Sequence, residues 1–104
     1  MTTTTVYGHV IHVNEEGFMT EPAEWSEDVA VGLATQIGLQ LTPDHWEALE
    51  FARKDFATTG ESPTIRRMST EGHIATKRLF ELFPQKPAKK LAYVAGLPKP
   101  RGCV

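Results

Sequence analysis

Cys103 is the residue of this chain best suited to covalent chemistry. It is the only cysteine among 104 residues and precedes the last residue, Val104. Cysteines are more often buried and inert, so a position beside a chain end is a poor one for a core role. The thiolate is the reactive form, which Lys99 and Arg101 would favour and the carboxylate of Val104 would oppose. Position alone leaves open either a reactive thiol or a chance surface cysteine.

The segment that carries this thiol, residues 97–104, is predicted to be an extended arm. Pro98, Pro100 and Gly102 all oppose a regular helix there. Because prolines restrict the free arm, less entropy is lost when the arm enters a partner protein. Inside that partner the thiolate would attack a sulfur atom, as in thiol–disulfide exchange. Such a relay needs no metal and no cofactor.

Histidines suggest a second kind of chemistry, metal binding. The four are His9, His12, His45 and His73. His9 and His12 lie three apart in a predicted strand, so their side chains should face opposite sides. No cluster of cysteines or carboxylates has the spacing of a zinc site. We therefore interpret the histidines as ordinary surface or partly buried residues and expect no metal.

Basic residues of the middle helices allow a third interpretation, a DNA-binding helix-turn-helix around Gly60. The cations that would face phosphate are Arg66, Arg67, Lys77 and Arg78. Against this, the chain before residue 84 carries 6 basic and 13 acidic residues, and an acidic body opposes DNA binding. Our main expectation is therefore that the protein does not bind nucleic acid directly. A DNA-binding regulator is kept as an alternative function.

The C-terminal part of the chain has the opposite charge. Residues 84–104 contain five basic residues and no acidic one: Lys86, Lys89, Lys90, Lys99 and Arg101. A basic tail on an acidic body favours an acidic partner. A solvated tail kept soluble by its lysines explains the same pattern equally well.

A short β region precedes the helices. The β-branched residues Val10, Ile11 and Val13 favour strand, and the stretch 14–17 supplies a turn. A β-hairpin or two short strands are therefore predicted between residues 6 and 19. The threonines at positions 2–5 form a low-complexity run.

Capping residues and prolines predict four to five helices. Ser26 starts one helix that Gly38 ends, and Thr42 with Pro43 starts another that Gly60 ends. Further helices are predicted from 62 to 68, from 71 to 83 and from 87 to 95, the last with Gly96 as its cap. Aromatic residues recur at helical spacing and are interpreted mainly as core: Trp25, Trp46, Phe51, Phe56, Phe80 and Phe83.

The predicted class is α+β and mostly α, in a single domain over residues 1–104. Residues 1–20 form the hairpin region, residues 21–96 a helical bundle with a helix-turn-helix-like element, and residues 97–104 a flexible arm. No apolar run approaches the ~20 residues that span a bilayer. The N-terminus lacks signal-peptide features, and the lone cysteine suits a reducing compartment, so a cytoplasmic location is expected.

The end of the chain resembles the C-terminal signature of the TusE/DsrC family. The matching residues are Ala95-Gly96-Leu97-Pro98-Lys99-Pro100, one variable residue, and Gly102-Cys103-Val104. Upstream matches are Gly17-Phe18, Trp25, Gly38-Leu39, Leu41-Thr42, His45-Trp46, Arg53, Pro63, Arg66 and Phe83-Pro84. The resemblance therefore covers nearly the whole chain from residue 17 onward.

This resemblance implies a sulfur carrier with a persulfide on Cys103. The arm residues that would dock into partners are Gly96, Leu97, Pro98, Lys99, Pro100, Arg101 and Gly102. TusE-like members take sulfur from a TusBCD-like complex and pass it to a tRNA thiouridylase that makes 2-thiouridine. DsrC-like members serve dissimilatory sulfite reductase or other sulfur-oxidation enzymes.

Three features separate these branches or depart from the family pattern. DsrC-like members that serve sulfite reductase use a second arm cysteine, eleven residues before the penultimate one. This chain has Ala92 at that position. One thiol can carry sulfur but cannot close an intramolecular disulfide, which favours the TusE-like role. Lys86 stands where the family pattern has glycine, and the stretch between Arg66 and Phe83 is shorter than the pattern.

Overall fold

The computed structural model describes residues 2–100, which form a hairpin followed by a helical bundle. In chain order, these residues contain β1 (Thr2–Val6), β2 (His9–Val13), α1 (Glu27–Gln36), α2 (Pro43–Thr59), α3 (Ile65–Thr70), α4 (Thr76–Leu82) and α5 (Pro87–Val94). A single turn of 3-10 helix, Pro22–Glu24, links β2 to α1. The predicted class, α+β and mostly α with an N-terminal hairpin, is confirmed.

The hairpin lies earlier in the chain than the sequence pattern predicts. β1 pairs antiparallel with β2, from Thr2 opposite Val13 to Val6 opposite His9. The threonine run is thus a strand, as its β-branched side chains favour. Tyr7 and Gly8 make the turn, both with positive φ, 46° and 81°, and such two-residue turns match the twist of paired strands.

The predicted turn at residues 14–17 is also present, as a second reversal of the chain. The Gly17 N–H donates to the Asn14 carbonyl over 3.0 Å. Beyond it, Met19 forms a single bridge with Val13. The predicted hairpin is therefore present but begins earlier, at Thr2, and the stretch after the turn at residues 14–17 pairs at one residue only.

The two long helices begin where their capping residues predict. The Ser26 hydroxyl accepts from the Val29 N–H at the start of α1. At α2, the Thr42 N–H donates to Nδ1 of His45 over 3.1 Å, so histidine takes the role of the usual glutamate in a capping box. Gly60 ends α2 with φ of 79°. The predicted N-caps at Ser26 and Thr42 and the stop at Gly60 are confirmed.

The middle of the bundle is less helical than predicted. α3 begins at Ile65, because Thr64 rather than Ser62 caps it by accepting from the Arg67 N–H over 3.1 Å. The predicted helix over 71–83 is reduced to α4, Thr76–Leu82. His73 has a φ of 56°, and this left-handed residue next to Gly72 breaks the helix before α4 starts.

Two hydrophobic clusters meet around α1. The larger one joins the helices and includes Phe83, Leu91 and Leu97. The smaller one holds the hairpin on α1, where a Cβ on Gly32 would lie 2.1 Å from Val6 Cγ1. Of the aromatic residues interpreted as core, Phe80 is the exception at 48% exposed. Within residues 2–100, no helix is long and apolar enough to cross a membrane.

Candidate functional site

The arm leaves the body at the C-terminal end of α5, where the backbone is closed by a Schellman-type cap. The Leu97 N–H donates to the Ala92 carbonyl over 3.0 Å, and the Gly96 N–H donates to the Tyr93 carbonyl over 3.4 Å. Gly96 has the left-handed φ of 73° that this motif requires. Leu97 is 1% exposed and belongs to the core. The direction of the arm is therefore set by a helix end that is part of the folded body.

Position 96 has no room for a side chain, in addition to the backbone conformation that favours glycine there. A Cβ at this position would lie 2.5 Å from Cδ1 of Trp25 and 2.9 Å from Sδ of Met19. These are ring and thioether atoms of packed side chains, since Met19 is 1% exposed and Trp25 is packed against both clusters. The start of the arm is thus pressed against residues of the hairpin side of the molecule.

Trp25 and Arg53 bind the last carbonyls of α5, which no helical N–H can reach. The indole N–H of Trp25 donates to the Val94 carbonyl over 2.8 Å. Arg53 donates from Nη1 to the Ala95 carbonyl over 2.7 Å and from Nη2 to the Pro22 carbonyl over 3.0 Å. Burial lowers the pKa of Arg53, but the ordinary value is so high that the charge persists. A cation here also complements the negative end of the helix dipole.

Further contacts follow the arm outward from the helix. The Ser62 hydroxyl donates to the Pro98 carbonyl over 2.5 Å. Lys99 Nζ lies 3.0 Å from a carboxylate oxygen of Glu16, in an exposed ion pair. Pro100 is again buried. The described part of the arm therefore runs along the body, touching both the loop before α3 and the turn after β2.

Only some of the predicted site residues lie within the described part of the chain. Gly96, Leu97, Pro98, Lys99 and Pro100 lie together in the segment just described. The other three, Arg101, Gly102 and Cys103, lie outside the described residues. Cys103 follows Pro100 by three residues, so its Cα is at most ~11 Å from that of Pro100. Ala92, at the position of the second family cysteine, is 2% exposed in the core.

Sequence reasoning did not assign any of the residues that hold the arm. Trp25 entered as a core aromatic residue and, like Arg53, as a match to a family pattern. Ser62 entered only as a helix start, and Glu16 only as part of a turn. Their contacts with the end of α5 and with the arm join residues that are 36 to 83 positions apart in the chain. No local spacing reports such contacts, so the only available signal was the family resemblance.

His45 has a structural role rather than a ligand-binding one. It is 6% exposed, and its Nδ1 accepts from the Thr42 N–H. Its Nε2–H therefore donates to the Leu82 carbonyl over 2.7 Å, which ties α2 to the end of α4. His12 is engaged by Glu24 at 2.7 Å. Over the stretch 2–100, no three histidines or carboxylates come together as a metal site would require.

The basic residues of the middle helices are partly neutralised by carboxylates. Arg67 binds both oxygens of Asp55, Nε to Oδ2 at 3.0 Å and Nη2 to Oδ1 at 2.5 Å. These hydrogen bonds raise the pKa of Arg67. Arg78 is bound by both Asp44 and Glu81. Two of the four cations that a helix-turn-helix would offer to phosphate are thus already paired.

Comparison with known proteins gives a consistent result over almost the full length. A family model described as DsrC like protein matches residues 5–104. The sulfurtransferase TusE of Escherichia coli K12 is 36% identical over 104 aligned positions, covering 93% of this chain and 95% of the relative.

Solved structures agree with this match. The NMR structure of DsrC from Allochromatium vinosum has a TM-score of 0.81 and 36% identity, covering 98% of this chain and 97% of that one. The crystal structure of the oxidized gamma-subunit of dissimilatory sulfite reductase (DsrC) from Archaeoglobus fulgidus has a TM-score of 0.78 and 33% identity, covering 99% and 100%.

Proposed function

The chain belongs to the DsrC-like protein family, and from this we propose that it is a sulfur carrier that holds a persulfide on Cys103. The supporting observation is the anchored base of the arm. The Schellman cap at Gly96 and the contacts of Trp25, Arg53 and Ser62 hold the chain from Val94 to Pro98 on the body. Cys103, the only cysteine of the chain, follows Pro100 by three residues. Because the preceding residues are held on the body, the thiol can be offered to a partner only within a bounded distance of the end of α5.

Sulfur transfer onto Cys103 is an exchange that needs no external oxidant. The Cys103 thiolate attacks the outer sulfur of a donor persulfide, forming a new S–S bond. The donor S–S bond breaks, and the donor cysteine leaves as a thiolate. The proton of the outer sulfur stays with it. Passing the sulfur to an acceptor thiolate repeats the same step with the roles exchanged.

The TusE-like role is the specific form that we favour. With Ala92 in place of a second arm cysteine, the chain has one thiol and cannot close an internal disulfide. The partners of this role are a TusBCD-like donor complex and a tRNA thiouridylase that accepts the sulfur. The protein would work in the cytoplasm without a cofactor.

A partner of dissimilatory sulfite reductase, or of another sulfur-oxidation enzyme, is the alternative. Similarity to the Archaeoglobus fulgidus gamma-subunit favours it. The two roles differ in chemistry, because the single thiol of this chain permits a persulfide but no intramolecular ring. A DNA-binding regulator is less well supported, since Arg67 and Arg78 are already bound by carboxylates.

Intact-mass measurement after incubation with polysulfide tests the proposed persulfide. We expect a gain of about 32 Da, one sulfur, that disappears with a thiol reductant. Tandem mass spectrometry should place the added sulfur on Cys103. Equal sulfur uptake by the variant Cys103→Ser would show that the carrier proposal is wrong.

A further inference from the structure

A groove beside the base of the arm combines an apolar floor with a basic rim. Its volume is about 340 Å³, and we call it the lysine groove; it is lined by Glu16, Phe18, Ile37, Lys86, Lys89, Lys90 and Tyr93. We propose that the lysine groove is a docking site for an acidic segment of a partner protein that carries an apolar side chain. The proposal rests on the sulfur-carrier function in one respect, because that function identifies the partner as a sulfur donor or acceptor.

The floor of the groove is fitted to an aliphatic or aromatic side chain. Phe18 and Tyr93 meet edge to face, with ring centroids 5.7 Å apart. The Tyr93 hydroxyl donates outward to Gln36 over 2.9 Å, so the ring itself is left to pack. Phe18 is only 2% exposed and supports the floor from beneath, so the accessible apolar surface comes from the partly buried Ile37 and Tyr93.

The rim supplies positive charge that the described part of the chain leaves uncompensated. Within residues 2–100, neither Lys86 nor Lys89 forms a hydrogen bond or an ion pair with a carboxylate, whereas Lys90 donates to the Pro84 carbonyl. All three lysines lie at the N-terminal end of α5, whose first turn holds no acidic residue. The helix dipole disfavours cations at that end. Carboxylates from a partner would offset this repulsion, and an otherwise acidic body makes the groove a distinct target.

Lys86 holds its place on the rim in an unfavourable backbone conformation. Its φ of 32° and ψ of 59° are left-handed, and Pro87 follows directly. A residue before proline is normally driven to extended conformations, and only glycine visits the left-handed region without strain. Glycine would fit this position better for folding alone, so the lysine side chain supports a role beyond stability.

The position of the groove suits a carrier. Glu16 lines the groove and also pairs with Lys99 of the arm. Cys103 follows Lys99 by four residues, so its Cα lies at most ~14 Å from that of Lys99. A partner seated in the groove would therefore lie beside the segment of the arm that leads to Cys103.

Titration of the full-length, ¹⁵N-labelled protein with a synthetic peptide tests the docking site. The peptide carries Leu-Phe flanked on both sides by Asp and Glu residues. We expect amide shifts to be concentrated at Phe18, Ile37, Lys86, Lys89 and Tyr93. Replacing Leu-Phe by Ser-Ser, or the acids by their amides, should each weaken binding. Shifts spread over the whole surface, or equal shifts with oligouridine RNA, would overturn the proposal.

Matched variants separate the groove from general electrostatics. Lys86→Gln with Lys89→Gln should weaken peptide binding roughly threefold to tenfold. Lys54→Gln with Lys77→Gln changes the net charge equally and should leave affinity within about a factor of two. The proposal would be contradicted if both double variants lost the same peptide affinity, or if the Lys86 and Lys89 variant lost none. Lys86→Gly should weaken binding without lowering the melting temperature, because the strain disappears with the side chain.

Loading of the unsubstituted protein with polysulfide, measured in the same samples, keeps the two proposals apart. Polysulfide is small and needs no docking site. A protein that loads sulfur on Cys103 but does not bind the peptide contradicts the groove alone. A protein that binds the peptide at the lysine groove but never loads sulfur contradicts the carrier function alone.

Discussion

The guanidinium of Arg53 lies 4.3 Å from the ring centroid of Trp25, and the two side chains donate to neighbouring carbonyls at the end of α5. This pair connects α2 and the segment before α1 with the helix that carries the arm. A cation over an aromatic face is favourable, more so where water is excluded. The first residues of the arm are therefore fixed by contacts between three distant parts of the chain.

Removing the indole N–H of Trp25 should destabilise the protein. In Trp25→Phe the Val94 carbonyl loses its donor, and because Val94 is fully buried this should cost about 1–3 kcal/mol of unfolding free energy. The control is Trp46→Phe, since Trp46 packs against the core and its indole has no hydrogen bond in the described region. Urea denaturation of both variants would measure the difference. Equal losses would mean that ring size, not the hydrogen bond, explains the effect.

Gly96→Ala should be costly for two separable reasons. Alanine must adopt a φ of 73° and must also displace Trp25 and Met19, so we expect a loss of about 2–4 kcal/mol. Gly60→Ala is the matched control, because Gly60 has a φ of 79° but no atom within 4 Å of the added Cβ. That variant should lose only about 1–2 kcal/mol, the conformational part. A Gly96→Ala variant no less stable than Gly60→Ala would contradict the close approach seen at Trp25.

The contact between Glu24 and His12 should make stability depend on pH in the acid range. The backbone N–H of His12 and then its ring lower the pKa of Glu24 below its ordinary value of 4.5. A carboxylate whose pKa is lower in the folded than in the unfolded state stabilises the protein above the unfolded value. That stabilisation is lost as the pH falls through the folded value.

The stability difference between the unsubstituted protein and Glu24→Gln should therefore be largest near neutral pH and should shrink once the pH drops below about 4.5. Glu21→Gln serves as the control, because Glu21 is exposed and no side-chain contact is recorded for it in the described region. Thermal denaturation from pH 7 to pH 3 would measure both. A difference that stays constant over this range would show that Glu24 acts without its charge.

Lys99 should affect the rate of sulfur transfer more than stability. Its ion pair with Glu16 is exposed and should contribute no more than ~1 kcal/mol. Lys99→Gln should slow transfer from a protein donor at low salt, with the defect shrinking near ~0.5 M salt, where charges are screened within a few ångströms. Glu16→Gln breaks the same ion pair but keeps the cation, and should not slow transfer. A Lys99→Gln defect that persists in high salt would point to a specific contact instead.

Local signals in the sequence predicted the long helices well and the short elements poorly. Ser26, Thr42 and Gly60 act through neighbours within a few residues, so their capping roles are visible in the sequence. The helix predicted over 71–83 is shortened to α4 because His73, directly after Gly72, has a left-handed φ of 56° that apolar spacing does not reveal. The hairpin was predicted too late in the chain, because Tyr7-Gly8 is a weaker turn signal in the sequence than the stretch 14–17.

The candidate site shows the same division between local and distant contacts. The role of Cys103 and of the proline-containing arm stays a prediction, made from residue types and from the family resemblance. The anchors Trp25, Arg53 and Ser62 act on backbone carbonyls of residues 94, 95 and 98, and only the fold brings them there. The sequence showed the lysine groove only as a basic tail, because the apolar residues of its floor, Phe18, Ile37 and Tyr93, are far apart in the chain.

Sulfur transfer through Cys103 to a second protein is the most direct test of the carrier function. The protein is loaded with ³⁵S-polysulfide, freed from excess label and mixed with a purified tRNA thiouridylase. We expect the label to leave Cys103 and to appear on the enzyme as reductant-labile sulfur, while Cys103→Ser carries no label across. Label that stays on the loaded protein, or that reaches the enzyme equally well with Cys103→Ser, would contradict a carrier that accepts and donates sulfur at this residue.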